Sequence, residues 1–291
     1  LNEPWCSAYQ GYWIGTHAPG REEPDQSLAA THHLLLAHGL AIKAMRAEAR
    51  PEEQLALTLN LWPILPASES PEDTAAAELM DGFLNRLYLD PVLRGSYPQD
   101  VVDAASDLTD WSFVQPGDLS TISQPVDMLG VNYYNPQRAG WEPDRDEKTE
   151  FPADHGIRML PAQGELTDMG WEISPESLTD LLIRLDSDYG IPVFITENGA
   201  AFRDVLEPSG RVDDPQRLAF FAEHLGAVHD AITHGVDVRG YFAWSLLDNY
   251  EWAEGYAKRF GLVYVNYDTL ARHPKSSAHW YAETVRRNSL A

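Results

Sequence analysis

The sequence predicts an α/β fold built from successive parallel βα units. Amphipathic helical stretches alternate with short apolar runs, and capping residues separate the two. Ser174-Pro175 opens one helix with an N-cap residue and a first-turn proline, and Gly190 closes it just before the apolar run 191–196. The same order of signals recurs between residues 214 and 244. Strand–helix alternation of this kind is typical of a parallel sheet covered by helices.

Each element is predicted from its own periodicity, in chain order. The predicted helices cover residues 27–49, a stretch after Pro71 that runs through Leu79, Phe83 and Leu87, residues 175–190, residues 215–235 and residues 275–287. The predicted strands cover residues 55–60, 126–134, 191–196 and 238–244. The inward stripe of the fourth helix is predicted at Leu218, Phe221, Leu225, Val228 and Ile232, and that of the last helix at Trp280 and Val285.

The number of strands limits the architecture. Four strands are clear, and the chain starts at the tip of a fifth, whereas a closed parallel barrel needs eight. An open remnant would leave long apolar edges. We therefore expect the C-terminal part of a (β/α)8 TIM barrel, its last strands and helices, which needs an N-terminal half to close. Residues 1–291 are expected to form a single domain, in which the long segment 136–173, rich in charge and proline, is an active-site insertion loop.

Composition excludes several classes of partner. Lys and Arg total 21 against 45 Asp and Glu, a net charge of −24 that disfavours binding to nucleic acid or to an anionic membrane. No apolar run is long enough for a membrane span. Cys6 is the only cysteine, which fits a reducing compartment, and we expect a cytoplasmic protein. The first residue is not Met, so the natural N-terminus is expected elsewhere.

Informative polar and aromatic residues follow the predicted strands. Glu3 stands after the first strand, Asn132 and Tyr134 end another, Glu197 ends a third and Trp244 ends the last. In a βα barrel this edge is the active-site face. Two carboxylates that face one another are the minimum requirement for cleaving a glycosidic bond. His32, His33 and His38 share one helix, but their spacing favours packing or solvent exposure over a metal site, and Cys6 is expected to be a small buried filler.

Four motifs carry a resemblance that covers residues 2 to about 285. They are Asn2-Glu3-Pro4-Trp5, Ile195-Thr196-Glu197-Asn198-Gly199, the run from Trp244 to Trp252, and Arg259-Phe260-Gly261-Leu262. Together they resemble family 1 of the retaining β-glycosidases, and specifically its bacterial β-glucosidases. The resemblance implies hydrolysis of terminal β-D-glucosyl residues of β-glucosides and cello-oligosaccharides, as in cellulose degradation, by double displacement and without a metal or other cofactor.

The resemblance also assigns roles to residues. Glu3 becomes the general acid and base, and Glu197 the nucleophile. The implied substrate-binding residues are Asn2, Asn132, Tyr134, Trp171, Trp244, Glu251, Trp252 and Phe260. Tyr134 is expected to donate to Glu197, and Trp171 to lie in the aglycone site. A carboxylate at Glu251 would repel a phosphorylated sugar, so an unphosphorylated one is favoured.

Two classes of function remain open at this point. One is a β-glucosidase, or a related β-galactosidase, β-fucosidase or transglycosidase, completed by a partner that supplies the N-terminal half of the barrel. The other is a non-catalytic remnant that binds a sugar or a partner. The presence of both Glu3 and Glu197 favours the enzyme.

Overall fold

A computed structural model describes residues 1–143 and 156–290, which form two compact units. The first unit contains Leu1–Val131 and Pro136–Pro161, and the second contains Asn132–Asn135 and Ala162–Ala291. Residues 144–155 of the predicted insertion loop lie outside the described residues. Within the described ranges, no helix is both long and apolar enough to span a membrane.

The elements follow the predicted order closely. The α-helices are α1 (Pro24–Glu48), α2 (Pro71–Asp81), α3 (Leu87–Leu93), α4 (Gln99–Ala104), α5 (Asp118–Ile122), α6 (Pro175–Tyr189), α7 (Pro215–Thr233) and α8 (Ser276–Arg287). The strands are β1 (Ala56–Asn60), β2 (Ile64–Pro66), β3 (Met128–Asn132), β4 (Gln137–Trp141), β5 (Ile157–Met159), β6 (Val193–Asn198), β7 (Val238–Ala243), β8 (Val263–Val265) and β9 (Arg272–Pro274).

Prolines mark the starts of the long helices. α1, α2, α6 and α7 each carry proline in the first turn, where its missing N–H has no helical acceptor to satisfy. The predicted single helix after Pro71 is instead divided, because a π-helical turn over Gly82–Arg86 separates α2 from α3. Asn85 in this turn explains part of the irregularity: its amide donates to the carbonyl of Trp62 at 2.7 Å and to Asp81 at 2.7 Å.

In the first unit β1 lies beside β3, and the start of the chain pairs with β1. Asn2 forms a parallel bridge with Thr58, so the first residues run as a strand along β1. Leu57 and Leu59 alternate into the core, where they are almost fully buried. A second, three-stranded sheet joins β2 in parallel to β4, which pairs antiparallel with β5. Segment 136–173 therefore contributes two short strands of its own.

In the second unit β6 and β7 pair in parallel, and β8 and β9 pair antiparallel. The helices α6 and α7 follow the expected αβ rhythm, each ending shortly before the next strand. A core of buried residues forms around α7: Ala200, Phe202, Phe220, Phe221 and Leu262. This packing holds the loop after β6 close to the start of α7 and to the residues after Phe260.

The buried face of α7 differs from the predicted stripe. Phe221 and Val228 are buried as expected, whereas Ile232 is 47% exposed. The face that turns inward is formed by Arg217, Phe220, Phe221, His224, Ala227, Val228 and Ala231. The stripe was predicted from apolar residues alone, so it left out the polar Arg217 and His224, which are both fully buried. In α8, likewise, Val285 is 61% exposed rather than inward.

Candidate active site

Glu3 follows directly on the strand-like start of the chain in the first unit. Its backbone N–H donates to the carbonyl of Thr58 at 3.1 Å, which fixes the residue at the end of the β1 pairing. Its φ of 45° lies in the left-handed region, which side-chain-bearing residues adopt at a cost. Such strained positions cluster at functional sites because surrounding structure must hold them. Asn2, immediately before it, makes the bridge to Thr58.

Cys6 lies beside Glu3 rather than in the core. The thiol of Cys6 donates to Oε2 of Glu3 at 3.2 Å, and the residue is partly exposed. The expectation of a small buried filler is therefore wrong. The turn of π-helix over Cys6–Gln10 that follows Glu3 brings the two side chains together, and Trp5 stacks on Tyr9 at a ring distance of 4.9 Å.

Glu197 ends β6 in the second unit, where two residues that follow β3 contact it. The backbone N–H of Tyr133 donates to the carbonyl of Glu197 at 2.9 Å. The phenol of Tyr134 donates to Oε2 of Glu197 at 2.6 Å. A phenol–carboxylate hydrogen bond of this length is charge-assisted, so it both orients the carboxylate and stabilises its negative charge.

A second set of hydrogen bonds fixes the backbone around Glu197. The hydroxyl of Thr196 donates to Oδ1 of Asn132 at 2.6 Å, and the amide of Asn198 donates to the carbonyl of Tyr133 at 2.8 Å. Asn198 in turn accepts from the phenol of Tyr241 at 2.5 Å. Burial raises the pKa of Tyr241 well above its usual 10, so this phenol remains a donor throughout the physiological range. Glu197 is thus held between hydrogen-bonded neighbours on both sides.

The ring of Tyr134, which bonds to Glu197, contacts two further aromatic rings. The ring of Tyr134 lies 5.2 Å from that of Trp171 and 6.2 Å from that of Phe260, and the last two are 6.0 Å apart. These are contact distances for tilted and edge-on rings. Aromatic faces of this kind suit the C–H faces of a sugar ring. The second unit therefore brings together four of the predicted residues: Tyr134, Trp171, Glu197 and Phe260.

Trp244 is joined to the end of β6 through its backbone. Its N–H donates to the carbonyl of Asn198 at 2.8 Å. Gly199 faces the same residue, and a Cβ added there would lie 1.8 Å from the carbonyl oxygen of Trp244. Only glycine allows this approach, which explains the glycine after Glu197-Asn198. The peptide bond from Trp244 to Ser245 is cis.

Glu251 and Trp252 stand on the long loop after β7. The N–H of Glu251 donates to the carbonyl of Gly255 at 2.6 Å, and a short 3-10 turn follows over Trp252–Glu254. Trp252 has a φ of 39° and is 67% exposed. Trp252 is therefore far more exposed than Phe260, which is almost fully buried.

A cluster of buried charges was not found from the sequence. Lys275 and Asp248 form a fully buried ion pair at 2.9 Å in the second unit, and Asp204 joins Lys275 at 2.5 Å. Hydropathy and periodicity treat such residues as exposed; the single hint is the position of Asp248 inside an aromatic and aliphatic run. Among the described residues no group of three or more His, Cys, Asp and Glu side chains is placed to hold a metal ion.

The predicted residues divide between the two units. Asn2 and Glu3 belong to the first, and the other eight belong to the second: Asn132, Tyr134, Trp171, Glu197, Trp244, Glu251, Trp252 and Phe260. His32 is buried between the phenol of Tyr97 at 2.8 Å and the carboxylate of Asp118 at 3.0 Å.

Comparison with known proteins identifies the family. The sequence model of glycosyl hydrolase family 1 matches residues 1–290. The chain is 43% identical to the bifunctional β-D-glucosidase/β-D-fucosidase of Bifidobacterium breve, with 99% of this chain and 64% of that protein covered. It is 42% identical to β-glucosidase A of Thermotoga maritima, with 100% of this chain and 63% of that protein covered.

Solved structures agree. The psychrophilic β-glucosidase BglU from Micrococcus antarcticus superposes with a TM-score of 0.93 at 44% identity, over 99% of this chain and 64% of that one. The chain thus spans about 64% of the length of the first relatives it matches. The predicted α/β fold, a C-terminal part of the family's TIM barrel, is confirmed by this agreement. With its motifs, its fold and almost its whole length in agreement, the chain belongs to glycosyl hydrolase family 1.

Proposed function

We propose that this chain carries the two catalytic carboxylates of a retaining β-glucosidase. Glu197 attacks the anomeric carbon of a terminal β-D-glucosyl residue, and the carboxylic acid of Glu3 gives its proton to the glycosidic oxygen. The bond to the aglycone breaks, the aglycone leaves as an alcohol, and a glycosyl ester forms on Glu197. Glu3, now a carboxylate, takes a proton from water. The water oxygen attacks the same carbon and releases Glu197, so configuration is retained.

One observation carries this proposal: the phenol of Tyr134 donates to Glu197 at 2.6 Å at the end of β6. A nucleophilic carboxylate must be ionised and aimed, and this bond serves both needs. The ring of Trp171 borders the same place and offers an apolar face to a sugar, and the almost fully buried Phe260 packs against Trp171 and Tyr134. Glu3 stands at the corresponding end of the chain's first strand pairing in its own unit.

The remaining residues are proposed to bind the sugar. Asn2 and Asn132 would contact hydroxyls near the anomeric carbon, Trp244 would stack on the ring, and Trp171 would face the aglycone. Phe260 was expected to bind the sugar too, but it is almost fully buried, so we propose that it supports the aromatic rings around the site instead. Glu251 and Trp252 would bind the outer hydroxyls. A carboxylate at Glu251 would repel a sugar phosphate strongly in a desolvated site, so the substrate is an unphosphorylated glucoside or cello-oligosaccharide.

A second candidate is activity on β-D-fucosides or β-D-galactosides. The Bifidobacterium breve relative is named for both β-D-glucosidase and β-D-fucosidase activity. Glucose and fucose differ in the orientation of the 4-hydroxyl and in the 6-hydroxyl, which are outer positions. Ratios of kcat/KM for the three nitrophenyl glycosides measure the preference, and equal values would favour a bifunctional enzyme.

We also propose that the site is completed by an N-terminal half of the barrel, supplied as a separate chain or as a further segment. In the described residues β7 pairs with β6 on one side and with no strand on the other. Phe242 on β7 is 57% exposed, and Leu246 just after it is 68% exposed. An apolar strand edge of this kind invites pairing with another segment.

Mechanism-based labelling tests the proposed function. The chain, completed by its N-terminal half, is incubated with a 2-fluoro glucoside that bears a good leaving group, and tryptic peptides are weighed. We expect one fluoroglucosyl group on the peptide that contains Glu197 and none in Glu197→Gln. Glu197→Gln should also lose at least about 10⁴-fold in kcat, as expected when a nucleophile is removed.

The outcomes distinguish an enzyme from a remnant and also test the requirement for an N-terminal half. Labelling with turnover supports the glucosidase, and a product ratio rich in oligosaccharides would indicate transglycosylation. Binding of glucose or cellobiose without labelling would contradict the proposal and favour a non-catalytic sugar-binding protein. Full activity of the 291-residue chain alone would contradict the requirement for an N-terminal half.

A further inference from the structure

Six buried charges form a closed cluster within the second unit. Its members are Asp204, Asp214, Arg217, Asp248, Arg259 and Lys275. Five of them have side chains that are at most 1% exposed, and the sixth, Arg259, is 18% exposed. Three carboxylates face three cations, so the charges of the cluster balance. Unpaired, any of these charges would be costly in a buried environment.

Two cations hold the cluster together. Arg217 grips Asp204 with two parallel bonds of 2.7 and 3.0 Å and reaches Asp214 at 2.7 Å. Lys275 joins Asp204 at 2.5 Å to Asp248 at 2.9 Å. Arg259 completes the cluster through its own ion pair with Asp248. The cluster therefore links the loop after β6, the start of α7, the start of α8 and the loop after β7.

The loop after β7, residues 245–262, is the element that the cluster holds most directly. Asp248 accepts from the backbone N–H of Gly261 at 3.0 Å and from that of Val265 at 3.3 Å. Arg217 donates to the carbonyl of Arg259 at 2.8 Å. The N–H of Lys275 donates to the carbonyl of Leu262 at 3.0 Å. Charged side chains thus bond to the backbone at the C-terminal end of the 245–262 loop, and one of them, Asp248, lies near its start.

The two ends of this loop also bond to each other. The N–H of Leu262 donates to the carbonyl of Ser245 at 2.8 Å, and the N–H of Ser245 donates to the carbonyl of Phe260 at 3.3 Å. A Cβ on Gly261 would lie 2.1 Å from the N atom of Asp248, so the ends touch backbone to backbone. Glu251 and Trp252 lie between these closed ends, and Phe260 stands at one of them.

Stability alone does not account for such a cluster. A buried ion pair can often be replaced by well-packed apolar residues at no cost to folding, because desolvation offsets most of the attraction. Ion pairs and hydrogen bonds of charged groups are directional, unlike apolar contacts, so they fix the geometry of the groups that they bind. Burial lowers the pKa of Lys275, and the Arg217 guanidinium lowers it further, against the opposing pull of Asp204 and Asp248. A lysine kept at this site despite burial and a neighbouring cation is a second sign of a geometric role.

We propose that Asp248 and Lys275 are positioning residues for substrate recognition, which set the conformation of the 245–262 loop and so place Glu251 and Trp252 against the sugar. This inference rests on the proposed glucosidase function, because it assigns these two residues to the sugar site. Neither Asp248 nor Lys275 touches the sugar in this proposal. They act through the backbone of the loop.

The test compares two buried carboxylates of the same cluster. Asp248→Asn alters the bonds to the 245–262 loop. Asp214→Asn is the matched control, because Asp214 bonds to Ser277 and to Arg217 and not to the loop itself, and Arg217 keeps its two bonds to Asp204 and its own bond to the loop. Both are assayed in the completed barrel, with active sites counted by 2-fluoro glucoside. We expect KM for a nitrophenyl glucoside to rise roughly tenfold or more in Asp248→Asn, the loss expected for one hydrogen bond to a charged group, and to stay unchanged in Asp214→Asn.

A double variant separates position from stability. Asp248→Asn with Lys275→Met removes both charges, so folding should recover relative to either single change, while KM stays raised. If the double variant restores KM together with stability, or if Asp214→Asn raises KM as much as Asp248→Asn, the proposal is overturned. KM does not depend on the amount of folded enzyme, so simple loss of protein cannot produce the expected pattern.

A measurement without turnover distinguishes this inference from the proposed function. Amide hydrogen exchange in Asp248→Asn should accelerate at Gly261 and Val265, the two amides that Asp248 accepts from, with α6 unaffected. If the wild type is not labelled but exchange accelerates at Gly261 and Val265 in Asp248→Asn, only the glucosidase assignment is contradicted. Normal labelling with unchanged exchange and unchanged KM would sink the positioning role alone.

Discussion

At the scale of single residues, the hydrogen bond between Tyr134 and Glu197 gives the most specific prediction. Tyr134→Phe keeps the ring contacts with Trp171 and Phe260 and removes only the donor at 2.6 Å. A bond to a charged group contributes about 1.5–3 kcal/mol, so kcat for glycosylation should fall roughly 10- to 150-fold. Rapid-quench kinetics with a nitrophenyl glucoside measures this step.

The control for that change is another buried phenol. The phenol of Tyr133 donates its one proton to the carbonyl of Ser174 at 2.6 Å and not to a proposed catalytic group. Tyr133→Phe should lower the free energy of unfolding by about 0.5–1.5 kcal/mol and leave the glycosylation rate within twofold. Equal kinetic losses in both variants would contradict the role given to Tyr134.

Histidines provide a residue-scale prediction about pH. His224 is fully buried, its Nδ1 lies 2.8 Å from the carbonyl of Phe220, and its Nε2 has no hydrogen-bond partner among the described residues. Burial lowers its pKa from the usual 6.5 to about 4. At a pH between these two pKa values, the His224 imidazole therefore binds a proton in the unfolded chain but not in the folded chain. Stability from this site is complete above pH 6.5 and is lost as pH falls from 6.5 towards 4, by up to about 3 kcal/mol.

His224→Leu should flatten this part of the stability profile. Urea unfolding at pH 7 and pH 5 gives the two free energies of unfolding, and their difference should shrink in the variant by roughly 1–2 kcal/mol. The exposed His33, which contacts its own helix through the carbonyl of Ala29, serves as the control. An unchanged difference in His224→Leu, or an equal change in His33→Ala, would contradict the prediction.

At the scale of elements, the end of β6 depends on a close backbone approach. A Cβ at Gly199 would meet the carbonyl oxygen of Trp244 at 1.8 Å, so Gly199→Ala must displace either Trp244 or the loop that follows Glu197. Overpacking of this kind costs about 1–3 kcal/mol of stability. We expect more than a tenfold loss in kcat/KM as well, because the strand end carries Glu197.

Gly226→Ala in α7 is the matched control, since nothing lies within 4 Å of a Cβ built there. Alanine should stabilise that helix by about 0.5–1 kcal/mol and leave activity unchanged. Thermal unfolding and kcat/KM, measured on both variants, check the pair. A Gly199→Ala variant as active as Gly226→Ala would show that the approach is not needed.

The elements also show what the sequence could and could not predict. Helix starts were predictable at Pro71, Pro175 and Pro215, because proline in a first turn has one local cause, whereas α1 begins at Pro24, before its predicted start at residue 27. The buried face of α7 was not predictable, because it includes two polar residues, Arg217 and His224. Arg217 is paired with Asp204 and with the carbonyl of Arg259, which both lie outside the helix, and no periodicity encodes such contacts.

The candidate site also has parts that the sequence could predict and parts that it could not. Parallel strands gather their carboxyl ends at one edge, so Glu3 and Glu197 could be proposed from order and spacing. The bond from Tyr134 to Glu197 was expected from family resemblance, not from physics. The proposed roles of Asp248 and Lys275 could not be predicted from the sequence, because a charged residue is expected to be exposed until its partners are known.

At the scale of the whole molecule, the free edge of β7 should decide whether the barrel closes. Phe242 is 57% exposed and contacts Phe194 at a ring distance of 6.3 Å. Phe242→Asp places a charge on the exposed face of this edge strand without opening a cavity in the core. We expect the free energy of unfolding of the 291-residue chain to change by less than about 1 kcal/mol, as for other exposed positions.

Association is expected to suffer much more than folding. Burying an unpaired aspartate at a strand edge costs several kcal/mol, so Phe242→Asp should prevent the N-terminal half from binding and abolish turnover. Sedimentation velocity of the mixture and hydrolysis of an aryl β-glucoside measure both. Leu40→Asp is the matched control, because Leu40 is 54% exposed on α1 and should tolerate the same charge. Normal assembly of Phe242→Asp would place the partner's contact away from β7, whereas failure of both variants would indicate a general effect of added negative charge on a chain whose net charge is already −24.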